Sequence, residues 1–169
     1  MPQSLTAYAI SVFVLVLSWS ILQTSSADAR RSKAKIAGVE VSCKDTRGRQ
    51  VQLRSVRDLG DVGRAWVVRG VPFIVMDKDL LKTLPPKLRL FFYEHECAHH
   101  RLGHWYAITK NIEQEADCWA IKNGRDRKLF SRQDVRAFAP FFANSKGTRW
   151  GHLPGPQRAE KLLACYDEE

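Results

Sequence analysis

The chain opens on a long apolar run and then settles into short alternating and helical patterns. Residues 1–27 hold no Asp, Glu, Lys or Arg, and residues 7–22 (AYAISVFVLVLSWSIL) are almost wholly apolar. That run is short against the roughly 20 apolar residues of a membrane-spanning helix. It gives way to Ser25, Ser26, Ala27, Asp28 and Ala29, small residues that suit a signal-peptidase cut after Ala27 or Ala29. The run predicts an export signal over residues 1–27, with an uncleaved membrane anchor as the alternative. Residues 28–37 are basic and poor in large apolar side chains, as a flexible lead is, so the folded domain is expected over residues 38–169.

Within that domain Val39, Val41 and Cys43, then Val51 and Leu53, alternate around Asp45-Thr46-Arg47-Gly48, the period and turn chemistry of a β-hairpin. Residues 65–76 are β-branched and aromatic, broken by Gly70 and Pro72 and closed by Asp77-Lys78-Asp79, which predicts one or two strands. Pro86 suits the first turn of a helix that runs to Gly103 and buries Leu88, Phe91, Phe92, Ala98 and Leu102. A second helix is expected from Asn111 to a stop at Asn123-Gly124. A third starts at the capping pair Ser131 and Asp134 and carries Val135, Phe138, Phe141 and Phe142, with Pro140 bending or shortening it. Pro156 opens a last helix with Leu162, Leu163 and Cys165 inward. The fold class that follows is α+β, a small sheet packed against helices, with no internal repeat.

Composition narrows the class without naming a function. A chain of 169 residues, 44% hydrophobic and 27% charged, has room for one globular core and is neither disordered nor fibrous in character. All 27 basic and 18 acidic residues lie beyond Ala27, so the chain left after a cut there keeps the formal charge of +9. That surplus favours an anionic cell-envelope surface as a partner, yet the basic residues are scattered and form no specific nucleic-acid motif, so a solvated basic surface accounts for them. Four cysteines, Cys43, Cys97, Cys118 and Cys165, suit two disulfides in an oxidising compartment, periplasmic or secreted. Three pairings are open, among them a bridge between Cys97 and Cys118 that would join two helices.

The chemistry concentrates at His95-Glu96-Cys97-Ala98-His99. An HExxH string on a helix places both imidazoles on one face, a turn apart, as two ligands of one metal require. Zinc suits neutral imidazole nitrogen, and a catalytic site takes three protein ligands with a fourth position open. The metzincin register puts a glycine and a histidine where Leu102 and Trp105 stand, so His104 is out of step. Glu113 and Asp117, four apart on the next helix, fit better: Glu113 as the third ligand and Asp117 orienting a ligand imidazole through its other ring nitrogen. His100 reads as a surface or supporting residue, His104 as a polar residue at the helix end, and Glu115 as solvated.

HECAH followed by EQEAD resembles the gluzincin metallopeptidases, including thermolysin and the compact minigluzincins, over residues 65–165. The resemblance implies a zincin-like fold with an HExxH helix and a following glutamate helix. It implies one zinc per chain on His95, His99 and Glu113, with Asp117 supporting them and Glu96 as general base toward the attacking water. It further implies an edge strand at residues 71–76 that pairs with an extended peptide or protein substrate, and cleavage within that chain, as an endopeptidase. The segment from Gly151 to Arg158 resembles the family's late His-Pro stretch before an arginine-bearing helix, although Leu153 interrupts the His-Pro step, and it suggests His152 as a helper at the oxyanion. Two other readings stand beside this one: a non-catalytic domain stabilised by zinc that binds the cell envelope, and a disulfide-stapled basic module in which HECAH is fortuitous.

Overall fold

A computed structural model describes residues 34–106, 110–149 and 151–168. The expected export signal and residues 28–33 of the basic lead lie outside the described residues. The end of that lead is not a loose tether. Lys35–Ile36 forms β1 and pairs antiparallel with β2, Val39–Glu40, while Ile36 enters the core.

The turn at residues 45–49 is as narrow as its chemistry predicts. Asp45 accepts hydrogen bonds from the main-chain N–H of Arg47 and of Arg49, and Lys44 bridges Gln50 across it. The ladder expected beyond it does not form. β3, Gln52–Val56, leaves the turn and pairs in parallel with β5, Val71–Asp77. β4, Gly63–Val68, pairs antiparallel with β5 through a two-residue turn at Arg69-Gly70, both with positive φ, as the right-handed twist of the strands prefers.

The sheet order is β3-β5-β4. Residues 71–76 are therefore the central strand, not the edge, and the expectation of an edge strand there is corrected. Pro72 has no N–H to give and stands opposite Val67, so that pair is a non-hydrogen-bonded one. The main-chain groups of Val67, Ala65 and Gly63 accordingly face away from β5, and β4 supplies the free edge.

Asp77 ends β5 and begins α1, Lys78–Thr83, by accepting from the N–H groups of Asp79 and Leu80. The α1 helix was not anticipated; its six residues are specified by this cap rather than by a long apolar stripe. Helix α2 is Pro86–Arg101, with proline in its first turn as expected. Helix α3, Ile112–Asp126, runs past the stop anticipated at Asn123-Gly124 because Gly124 is buried against the ring of Phe130. Proline splits the third predicted helix into α4, Arg132–Arg136, with the capping box between Ser131 and Asp134, and α5, Ala139–Phe142, which leaves Phe141 exposed. Helix α6 is Gly155–Asp167.

The result is an α+β domain in which α2 lies between the sheet and α3, while α3, α4 and α5 pack on α6. Leu88, Phe91, Ile121 and Leu162 at its centre are fully buried. No helix among the described residues is long and apolar enough to cross a membrane. The four cysteines form Cys43–Cys97, which ties the 45–49 turn to the HExxH helix, and Cys118–Cys165, which ties α3 to α6. The bridge between Cys97 and Cys118 is thus excluded. Two disulfides suit an oxidising compartment.

Gly155 lets α6 start directly against the last residue of α5. A Cβ there would collide with the backbone carbonyl of Phe142, which has no side-chain freedom to yield. Gly155→Ala is expected to lower stability by about 1–3 kcal/mol. Urea unfolding at fixed m-value checks this, and an unchanged or raised midpoint would show that α6 does not depend on this close approach.

Candidate metal centre

From Tyr93 to His100 every residue of α2 is buried, so each polar group it carries must find a partner inside the protein. Four-residue spacing sets His95 and His99 on the side facing α3, with ring centroids 4.9 Å apart. Helix α3 answers in its first turn with Glu113. Glu113 Oε2 lies 3.1 Å from His95 Nε2 and 3.4 Å from His99 Nε2, and the two Nε2 atoms are 3.2 Å apart. A tetrahedral ion with bonds of about 2.0–2.1 Å sets neighbouring ligand atoms about 3.3–3.4 Å apart. The triangle has the size of one face of such a shell, and the His95, His99 and Glu113 group could hold a metal ion.

The electrostatics ask for a cation at the same point. Burial opposes a charge on His95, yet the carboxylates of Asp117 and Glu113 raise its pKa to about 10. Burial also opposes the charge on Glu113, but His152, His95 and His99 hold its carboxyl far below the ordinary range. His99 is pushed down by burial. Two nitrogens and a carboxylate oxygen converging in a low-dielectric pocket are stabilised by positive charge between them, and a cation provides it with both lone pairs directed at it.

Glu96 sits beside this triangle with its carboxylate turned to β4, where Oε2 accepts from the N–H of Ala65 at 2.5 Å. Burial raises its carboxyl to about 7, partly offset by His95. Behind the triangle, Asp117 Oδ1 is 2.8 Å from His95 Nδ1, a close contact whose alignment falls short of hydrogen-bond geometry. Arg158 on α6 clamps the same carboxylate with a fork, Nε to Oδ2 at 2.8 Å and Nη2 to Oδ1 at 2.7 Å. Burial would raise the Asp117 carboxyl, but His95 and Arg158 bring it down to about 2.

The structure thus brings His95, Glu96, His99, Glu113, Asp117 and His152 together. His152 stacks on His95 at 5.6 Å between ring centroids, with Nε2 2.9 Å from Glu113 Oε2. All but Asp117 line a cleft of about 500 Å³ that also opens on Asp61, Gly63, Ala65 and Trp105.

Three side chains make contacts that the sequence pattern does not give. His104 is not a helix-end ornament but is 6% exposed, with Nδ1 2.9 Å from Nδ1 of His99. Glu115 is not merely solvated, since its Oε2 lies 3.2 Å from His104 Nε2. His100 is buried and its Nε2 donates to the carbonyl of Phe73 at 2.8 Å, fastening α2 to the central strand. Arg158 had a readable signal, because it shares the inward stripe of Leu162 and Cys165 on α6.

No family model matches the chain, and no curated protein or solved structure matches it.

Arg158 is the counter-charge that makes a buried Asp117 tolerable. Arg158→Ala is expected to cost about 3–5 kcal/mol, because it leaves that carboxylate buried without its clamp. Denaturant unfolding of the variant measures this, and a loss below about 1 kcal/mol would show that the pair is not structural.

Proposed function

We propose that this chain is an exported zinc peptidase of the gluzincin type, with a minimal zincin-like fold, that hydrolyses peptide bonds within extended segments of protein. The observation that carries the proposal is that the buried Glu96 carboxylate and the three converging donors of His95, His99 and Glu113 open on one cleft. Structural zinc sites are closed by four protein ligands, whereas three donors beside a cleft leave a position for chemistry. Two imidazoles and a carboxylate favour zinc among the common metals.

Zinc, when bound, supplies Lewis acidity that polarises a scissile carbonyl and makes water a nucleophile near neutral pH. Glu96 acts as general base, accepting the attacking water's proton on its carboxylate and passing it to the leaving amine. The N–H of Ala65 steadies that carboxylate without neutralising it. Asp117 fixes the orientation of His95, and Arg158 fixes Asp117. The free edge of β4 at Gly63 and Val67 offers main-chain groups to an extended peptide laid along it, and Trp105 offers an apolar wall. His152, with Nδ1 3.2 Å from Thr148 Oγ1 and Nε2 2.9 Å from Glu113 Oε2, has its ring steadied at the cleft, where release of Nε2 from Glu113 would let that N–H donate to the oxyanion. The apolar N-terminal run and the two disulfides support the export reading.

Glu96→Gln separates binding from chemistry. The variant is expected to keep its zinc and to hydrolyse a denatured, fluorophore-labelled protein at least about 100-fold more slowly than the native chain. Equal turnover by the variant would overturn the assignment of Glu96. A folded, zinc-loaded native chain that cleaves nothing in a broad peptide library would instead leave the metal as a support for an envelope-binding domain.

A further inference from the structure

Resting on the metal-site reading, we infer that His104, itself set by Glu115, is the positioning residue for the ligand His99: it accepts the Nδ1 proton of His99 and so commits Nε2 of that ring to the metal. The two ligand imidazoles have unequal support in the structure. His95 has a carboxylate at its Nδ1, that of Asp117. Among the described residues no carboxylate stands at Nδ1 of His99, which faces the Nδ1 of His104 at 2.9 Å.

Two imidazole nitrogens facing one another leave the proton's position ambiguous, since either ring can donate. Glu115 removes the ambiguity. A carboxylate only accepts, and Glu115 Oε2 lies 3.2 Å from Nε2 of His104. A neutral His104 therefore carries its single proton on Nε2 and presents Nδ1 as a lone pair. Next to that lone pair His99 must hold its proton on Nδ1, which leaves Nε2 free on the side of His95 Nε2 and Glu113 Oε2. The relay runs from carboxylate to imidazole to ligand imidazole, one ring longer than the support of His95.

The local fold builds this contact at a specific place. Helix α2 ends at Arg101, and Gly103 with φ +72 turns the chain back so that the N–H of His104 donates to the carbonyl of His99 at 3.1 Å. That reversal lays the His104 ring edge-on to the ring of His99, with centroids 5.0 Å apart. Glu115 comes from the first turn of α3, the same turn that carries Glu113. One helical turn thus delivers both a ligand and the residue that fixes the tautomer of another ligand.

The test is the zinc affinity of the folded, disulfide-intact chain, measured by competition with a chromophoric chelator. His104→Phe keeps the ring bulk and removes the acceptor, and is expected to weaken zinc binding by about 10–100-fold. His104→Asn, whose carbonyl oxygen can stand near the position of Nδ1, is expected to recover most of that loss. Glu115→Ala, at a side chain 46% exposed and so safe for folding, is expected to weaken binding in the same direction. In the zinc-loaded native protein the Nδ1 proton of His99 should be visible by nitrogen-15 NMR and protected from exchange, and that protection should vanish in His104→Phe. Native-like zinc affinity in both His104→Phe and Glu115→Ala would overturn the inference while leaving the metal site standing. Failure of the folded native chain to take up zinc at all would overturn the metal site and this inference with it.

Discussion

One buried carboxylate organises three helices. Asp117 stands on α3 with 4% of its side chain exposed, close to His95 of α2 and clamped by Arg158 of α6. An ion of this size removed from water carries a penalty of several kcal/mol unless its partners are close and well directed. The directed fork from Arg158 and the nearby ring of His95 meet that carboxylate together only when α2, α3 and α6 sit in one mutual arrangement. The same arrangement points Nε2 of His95 at Glu113. The requirement to satisfy Asp117 and the geometry of the triangle are therefore a single constraint, and the second disulfide reinforces it by joining α3 to α6.

Helix α2 is the other half of the design. A helix that buries Glu94, His95, Glu96, His99 and His100 cannot be held by apolar contact alone. Each polar side chain reaches a different neighbour: Glu94 meets Asn123 and Arg127, Glu96 meets the edge strand, and His100 meets the central strand. The disulfide from Cys97 anchors the motif to the 45–49 turn, on the far side from the donors. The sheet fixes the position of the Glu96 carboxylate at the cleft through the N–H of Ala65. This division lets a small domain carry a concentrated set of charges without leaving those at the cleft free to move.

The parts of this arrangement that depend on local periodicity were legible in the sequence. His95, Glu96 and His99 share a helix, Glu113 and Asp117 share the next one, and Pro86, Ser131 and Pro156 mark helix starts within a residue of where they occur. What escaped depends on contacts remote in sequence. β5 takes a parallel partner from residues 52–56 and leaves β4 at the edge, a choice that no alternation pattern encodes. Gly124 reads as a helix stop and is instead a gap for Phe130. His104 looks peripheral until Gly103 folds it back beneath His99, and the four cysteines allow three pairings until the helices are placed. Residues 35–36 look like part of a basic tether because only Ile36 belongs to the core.

Whether His95, His99 and Glu113 form one three-ligand zinc site, as proposed, is decided by metal content. Zinc per chain is measured in the oxidised native protein and in a Glu113→Ala variant, both refolded with metal and freed of excess. About one zinc per native chain and clearly less in the variant is expected, as a site with three protein ligands requires. No zinc in either protein, or equal zinc in both, would contradict it.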